Sequence, residues 1–156
     1  MLALAAAGVL AAAPAHARRA TYTMPASVTV INGCTISALP LIFNVPVPTN
    51  LNVDSSTTIT AKCTPNIPFT IDIDTGLYGN GINRRVYNAT AKAYINYDVY
   101  RDPPRSQVWG TGGAKNVSGN SGLTGLVVLP VYGRLASSTK LQAGNYRDTL
   151  TVTISF

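Results

Sequence analysis

Asp74-Thr75-Gly76 follows an apolar alternation of Phe69, Ile71 and Ile73, and it is the triplet most suggestive of catalysis. Aspartic proteases place Asp-Thr-Gly after such a strand, because two carboxylates must share one proton. A single copy reaches that arrangement only in a homodimer. Asp72 and Asp74 fall opposite the apolar face, so both are expected in solvent. Asp and Gly also make ordinary turns for backbone reasons, and a three-residue motif arises easily by chance. The turn is the reading adopted, and no enzyme activity is expected. No Ser–His or Cys–His pair can form, since His16 is the sole histidine and lies in the N-terminal leader. Asp54, Asp98 and Asp102 are dispersed, without the spacing of a calcium loop. No Gly-rich loop opens a helix to cradle phosphate. No cofactor and no small-molecule substrate are expected. Trp109 beside a Gly-rich loop offers a sugar-stacking surface, although a core or interface Trp is commoner. Asn88-Ala89-Thr90 and Asn116-Val117-Ser118 match a glycosylation sequon and are read as ordinary polar loop or strand-edge positions.

Two cysteines remain, Cys34 and Cys63. In an exported chain an even count suggests a disulfide. Such a bond across about 30 residues stabilises by roughly 3–4 kcal/mol, mostly through the unfolded state. Two buried free thiols are the alternative. A metal site is poorer, because two Cys without a His outside the leader cannot close a tetrahedral shell.

Export is read from residues 1–17. Leu2 to Ala13 is almost all Ala and Leu, and Ala15-His16-Ala17 is an A-x-A cleavage pattern. The run is shorter than the roughly 20 apolar residues of a transmembrane helix. No Lys or Arg precedes it, so the natural N-terminus is expected upstream of Met1. The mature chain would start at Arg18. Net charge is +6, from 12 basic residues and 6 acids, all Asp. The basic residues are scattered, whereas a nucleic-acid reader concentrates them on one element. No nucleic acid is expected as a partner.

After Ala17, Val, Ile, Thr and Tyr recur with period two, broken by Gly, Pro and Asn. Strands are expected at Ser27 to Ile31, Leu39 to Val45, Ser56 to Cys63, Pro68 to Asp74, around Ala93 to Val99, Gly125 to Tyr132 and Tyr146 to Phe156. Asn80-Gly81 signals a turn. Gly110 to Gly122 reads as a mobile loop. Short strands with frequent turns indicate an all-β sandwich of immunoglobulin type.

The ends of the mature chain carry the functional clue. The last strand places Leu150, Val152, Ile154 and Phe156 on one apolar face and runs to the final residue. A sandwich of this type would normally pair it with one more strand. Without that partner it leaves an unfilled groove or an exposed edge. Tyr22, Met24, Ala26, Val28 and Val30 recur at a strict spacing of two near the mature N-terminus. The simplest reconciliation is strand addition: this segment fills the groove of a neighbouring copy. The alternative is that it folds onto its own domain. Pro25 counts mildly against the donor reading, since it cannot donate to a ladder.

Several fragments in order carry a resemblance. They are Gly33-Cys34-Thr35-Ile36, Leu41-Ile42-Phe43, Ala61-Lys62-Cys63-Thr64, Tyr97-Asp98-Val99-Tyr100-Arg101-Asp102, Trp109-Gly110 and Val131-Tyr132-Gly133. The most specific is Gly144-Asn145-Tyr146-Arg147-Asp148-Thr149-Leu150-Thr151-Val152-Thr153. Together they resemble the spore coat protein U domain family, which includes the pilins of archaic chaperone–usher pili. Asn44 departs from the Gly that often follows the Phe.

The resemblance implies an incomplete immunoglobulin-like β-sandwich completed by donor-strand exchange. Residues 18–31 would be the donor segment and residues 32–156 the incomplete domain. Leu150, Val152, Ile154 and Phe156 would flank the acceptor groove, and Cys34 and Cys63 would be bonded near the start of the sandwich. Expected partners are identical or sibling subunits, a periplasmic chaperone and an outer-membrane usher, with basic chaperone residues gripping the Phe156 carboxylate. The expected role is a shaft or minor fibre subunit in adhesion or biofilm, or a spore-coat component. The alternative is a self-complete secreted module that binds a glycan.

Overall fold

The alternation in β2 (Val53–Cys63) and β3 (Pro68–Ile73) sets one face of each strand into the core. Ile59, Ala61 and Cys63 are buried from β2, and Phe69, Ile71 and Ile73 from β3. The other strands are β1 (Cys34–Ala38), β4 (Arg84–Asn88), β5 (Ala93–Tyr100), β6 (Val117–Asn120), β7 (Leu126–Leu135) and β8 (Val152–Ser155). This computed structural model describes residues 23–45, 52–136 and 142–156. Among the described residues there are two antiparallel sheets and no helix. One runs β1-β2-β7-β5-β4 and the other β6-β3-β8. Ile59, Ile95, Val131 and Leu135 from the first pack with Phe69, Ile71 and Ile73 from the second in one cluster. The all-β sandwich expected from the sequence is therefore the fold.

The chain divides into two units, Met1–Val30 and Ile31–Phe156. In the first, the described residues 23–30 carry no regular secondary structure. The strand expected at Ser27 to Ile31 is accordingly absent. Alternation makes a face, but a strand also needs a partner edge. The expected leader, residues 1–17, lies outside the described residues.

The second unit shows further departures. The strand expected at Leu39 to Val45 joins no ladder, although Leu41, Phe43 and Val45 pack on the core at alternate positions. β8 is shorter than the Tyr146 to Phe156 run, and β7 is longer than its apolar stretch. β4 and β6 have no apolar alternation to announce them. β6 falls inside the Gly-rich stretch expected to be a loop. Gly119 lets it lie against Phe69, whose ring carbon would stand 2.9 Å from an added Cβ. Cys34 and Cys63 are directly paired in the β1–β2 register and joined by a disulfide.

β4 also brings in Arg84, which is 2% exposed. Its Nε donates to Asp74 O at 2.8 Å, and one terminal nitrogen donates to Ile73 O at 2.9 Å and Trp109 O at 2.7 Å. Its other terminal nitrogen pairs with the Asp98 carboxylate. A buried guanidinium is tolerable because its donors are met in this way. It ties the end of β3 to β5 and to the Trp109 segment.

Candidate functional site

A cavity of about 1060 Å³ opens between two stretches of chain that lie outside the named strands. One is Leu39–Val45 after β1; the other is Gln142–Leu150 leading into β8. The floor is the apolar core: Ile59, Ile73, Ile95, Tyr97, Val99 and Val131.

The wall before β8 is built by alternation. Tyr87 and Arg147 exchange backbone hydrogen bonds at 2.8 and 2.9 Å, Leu77 N donates to Thr149 O at 3.0 Å, and Asp74 N donates to Thr151 O at 3.1 Å. Residues 147, 149 and 151 thus spend their backbone groups on β4 and on the chain after β3. In an extended chain the intervening residues turn theirs the other way. The N–H and C=O groups of Asp148, Leu150 and Val152 therefore face the cavity side. There β8 has no ladder partner among the described residues. Leu150 and Val152 also point their side chains inward.

The opposite wall follows β1. At either end of β1 the flanking odd residues bond the β2 side: Gly33 O accepts from Thr64 N at 2.8 Å, and Leu39 N donates to Thr58 O at 3.0 Å. Beyond Pro40 the parity reverses. Ile42 O accepts from Ser55 Oγ at 2.6 Å, so the even residue now faces β2. Leu41 and Phe43 line the cavity with their side chains, in a stretch that belongs to no ladder. Both walls thus offer apolar side chains to the same space.

Asp148 fixes the wall before β8. Its Oδ1 accepts from Tyr78 N at 3.1 Å and its Oδ2 from the Tyr97 hydroxyl at 2.7 Å. Burial first, and then the Asp148 acceptor, push the Tyr97 phenol far above its usual range. Asp74 does a related job beside it. Its Oδ1 accepts from Gly76 N at 3.0 Å and from Thr151 N at 2.8 Å. Burial raises the Asp74 carboxyl, but the Thr151 and Gly76 donors and the nearby Arg84 outweigh it, so it lies below the usual value. Gly76 sits at φ +82°, and any Cβ there would collide with the Asp148 carboxyl. The Asp-Thr-Gly triplet is therefore a clamp between the end of β3 and the start of β8. Contrary to expectation, neither Asp72 nor Asp74 is simply solvated. Both are half-buried, and Asp72 Oδ1 accepts from Gly112 N at 2.9 Å.

Trp109 is 1% exposed, and its Nε1 donates to Ile71 O at 3.0 Å. It is a core residue and presents no ring face to a sugar. Asn88 is buried, with Oδ1 accepting from Thr90 N and Ala91 N. Among the described residues no three His, Cys, Asp or Glu side chains are grouped to hold a metal.

The family model of the Spore Coat Protein U domain matches residues 20–153. The chain belongs to that family. Protein U of Myxococcus xanthus is 31% identical over 172 residues, covering 97% of this chain and 93% of that protein. Among solved structures, a chain of the CsuC–CsuE chaperone–tip adhesion subunit pre-assembly complex from archaic chaperone–usher Csu pili of Acinetobacter baumannii superposes with a TM-score of 0.64 at 23% identity. That match covers 82% of this chain, which spans 41% of the other chain's length. It establishes the fold.

In this Spore Coat Protein U domain the Gly144-to-Thr153 fragment acquires physical reasons. Gly144, at φ +150°, passes against the Asn88 amide where a Cβ would collide. Tyr146 packs on the core, and Asp148 is the anchor just described. The expected acceptor residues divide. Leu150 and Val152 line the cavity. Ile154 packs beyond it against Ala61, Cys63 and Ile67, and Phe156 is 57% exposed. Of the expected donor residues, Tyr22 lies outside the described residues, and Met24, Ala26, Val28 and Val30 are all exposed. The opposite wall, Leu41 and Phe43, was missed as part of the site, although its alternation was visible. Arg84 and Asp148 carried no signal of their structural role.

Proposed function

We propose that this domain is a structural subunit of an exported surface fibre of chaperone–usher type, not an enzyme, and that its cavity receives the N-terminal segment of a neighbouring subunit. The observation that carries the reading is the cavity itself: an apolar floor between two walls, of which the one leading into β8 has a free edge among the described residues. A β-strand with apolar residues at alternate positions satisfies both needs at once. The segment around Met24, Ala26, Val28 and Val30 has that pattern and is exposed. Burying Met24, Val28 and Val30 at roughly 1.5–3 kcal/mol each gives about 5–9 kcal/mol gross, before ordering and association costs. Family membership and the fold shared with a chain of a pilus pre-assembly complex support the same reading. On this reading a periplasmic chaperone fills the cavity first, an outer-membrane usher exchanges it for the next subunit's segment, and the fibre serves attachment or biofilm.

The test is removal of residues 18–30. The shortened subunit should remain in complex with its chaperone, stop polymerising, and bind one synthetic peptide spanning residues 20–31. A full-length chain that purifies alone as a stable monomer and takes up no peptide would overturn the proposal.

A further inference from the structure

The outer face of β4 and β5 carries tyrosines in ring contact. Tyr87 and Tyr94 are direct partners in the β4–β5 register. Their ring centroids lie 4.6 Å apart with planes inclined by 31°. Tyr78 adds a third ring, 4.9 Å from Tyr87. The Arg85 guanidinium sits 4.4 Å from the Tyr94 centroid, and its Nε is held by Tyr78 O at 2.9 Å. Tyr94 is 49% exposed. Neither the Tyr87 nor the Tyr94 hydroxyl is engaged in a hydrogen bond among the described residues, whereas that of Tyr97 is committed to Asp148.

We propose that Tyr87 and Tyr94 form an oxidative cross-linking site that yields an intramolecular dityrosine. Each phenol gives up one electron and its hydroxyl proton to become a neutral phenoxyl radical. The unpaired electrons, shared onto the carbons ortho to oxygen, pair to form one carbon–carbon bond. Each ring then moves its ortho hydrogen to oxygen and regains its aromaticity. The sum is two phenols converted to one biphenol, two protons and two electrons. Hydrogen peroxide, acting through a haem peroxidase, takes up those electrons and protons and leaves as two waters.

The geometry suits this step. Radical coupling needs the second ring in place before the first radical is quenched, and centroids at 4.6 Å put ring carbons near van der Waals contact. The ladder holds the pair as direct cross-strand neighbours. Exposure of Tyr94 gives the oxidant access to one partner. The bond would tie β4, the last strand of its sheet, covalently to β5. Because Tyr87 also exchanges backbone hydrogen bonds with Arg147, it would brace the chain that walls the cavity.

The experiment treats the folded full-length chain with hydrogen peroxide and a haem peroxidase, followed by trypsin. Cleavage after Arg85, Lys92 and Arg101 places Tyr87 in the peptide 86–92 and Tyr94 in 93–101. The expected product is these two peptides joined with the loss of two hydrogens, from a species that still runs as a monomer under denaturing conditions. Fragmentation should place the bond at Tyr94 and not at Tyr97 or Tyr100. Tyr87→Phe and Tyr94→Phe keep the rings, and with them the stack, but should abolish the blue dityrosine fluorescence. Tyr100→Phe should retain it. Absence of the linked pair, a link made only between molecules, or fluorescence that survives Tyr94→Phe would overturn the assignment.

Discussion

Val28→Asp isolates strand insertion from folding. Val28 is 90% exposed in a stretch without regular secondary structure, so its replacement should move the stability of its own domain by no more than about 0.5 kcal/mol. In a neighbour's cavity the same residue would meet a space walled by Leu41, Phe43, Leu150 and Val152. Losing the valine there forfeits roughly 1.5–3 kcal/mol of apolar burial. The carboxyl must also enter neutral, because an unpaired charge is costlier still. Protonating an Asp of ordinary pKa near 3.9 at pH 7 costs about 4 kcal/mol. The sum, about 5.5–7 kcal/mol, weakens insertion by roughly four to five orders of magnitude. The inserted form binds the extra proton, so acid favours it. Near pH 4 the protonation cost vanishes, and only about a ten- to hundredfold deficit should remain. The assay is anisotropy of labelled peptides spanning residues 20–31, with and without the substitution, on a subunit lacking its own segment, at about pH 7 and pH 4. A Val28→Asn peptide controls for polarity without titration and should show no pH dependence. An Asp peptide that binds within tenfold of the natural one at pH 7, or whose deficit ignores pH, would refute the reasoning.

Arg84→Met leaves Asp98 unpaired and strands the carbonyls of Ile73, Asp74 and Trp109, so it should cost roughly 3–5 kcal/mol, read as a lower urea midpoint at unchanged slope. Asp148→Asn retains the size of the side chain but gives up a charged acceptor shared by Tyr78 N and the Tyr97 hydroxyl. It should cost about 1–3 kcal/mol in urea unfolding and bring the Tyr97 phenol down from its raised position in an ultraviolet titration. Asp54, held low first by its hydrogen bond from Arg134, and Asp74, held low by its backbone donors against the effect of burial, both have native pKa values below 3.8. Their contribution to stability is full above the unfolded value and lost as pH falls below 3.8 through the depressed native values. Asp74→Asn should therefore flatten the acid limb of a stability-against-pH curve measured by denaturant titration.

The Asp74 clamp and the Asp148 anchor act on the same stretch of chain from opposite sides of one turn. Asp74 Oδ1 holds Thr151 N, and Asp148 holds Tyr78 N, so the chain after β3 and the chain before β8 fasten each other. This makes the cavity wall rigid without a partner strand, a useful property in a site that would exchange one occupant for another. Preorganisation lowers the ordering cost of insertion.

Alternation along Pro68 to Ile73 and Leu150 to Ile154 was enough to determine which side chains are buried, because a strand's side-chain period is two wherever the strand lies. The same local rule announced the sandwich class, and two cysteines in a chain read as exported announced the disulfide. What alternation cannot encode is the partner of each edge, since backbone donors and acceptors are alike at every residue. Hence Ser27 to Ile31 read as a strand and is none in the single chain, whereas Arg84–Asn88 read as nothing and pairs throughout its length with β5. The turn reading of Asp-Thr-Gly was legible. That its carboxyl reaches Thr151, 77 residues away in sequence, was decided only when the two ends of the fold met. The cavity is likewise tertiary: Leu41 and Leu150 become opposite walls only because β1 and β8 belong to different sheets, and the space between them belongs to neither.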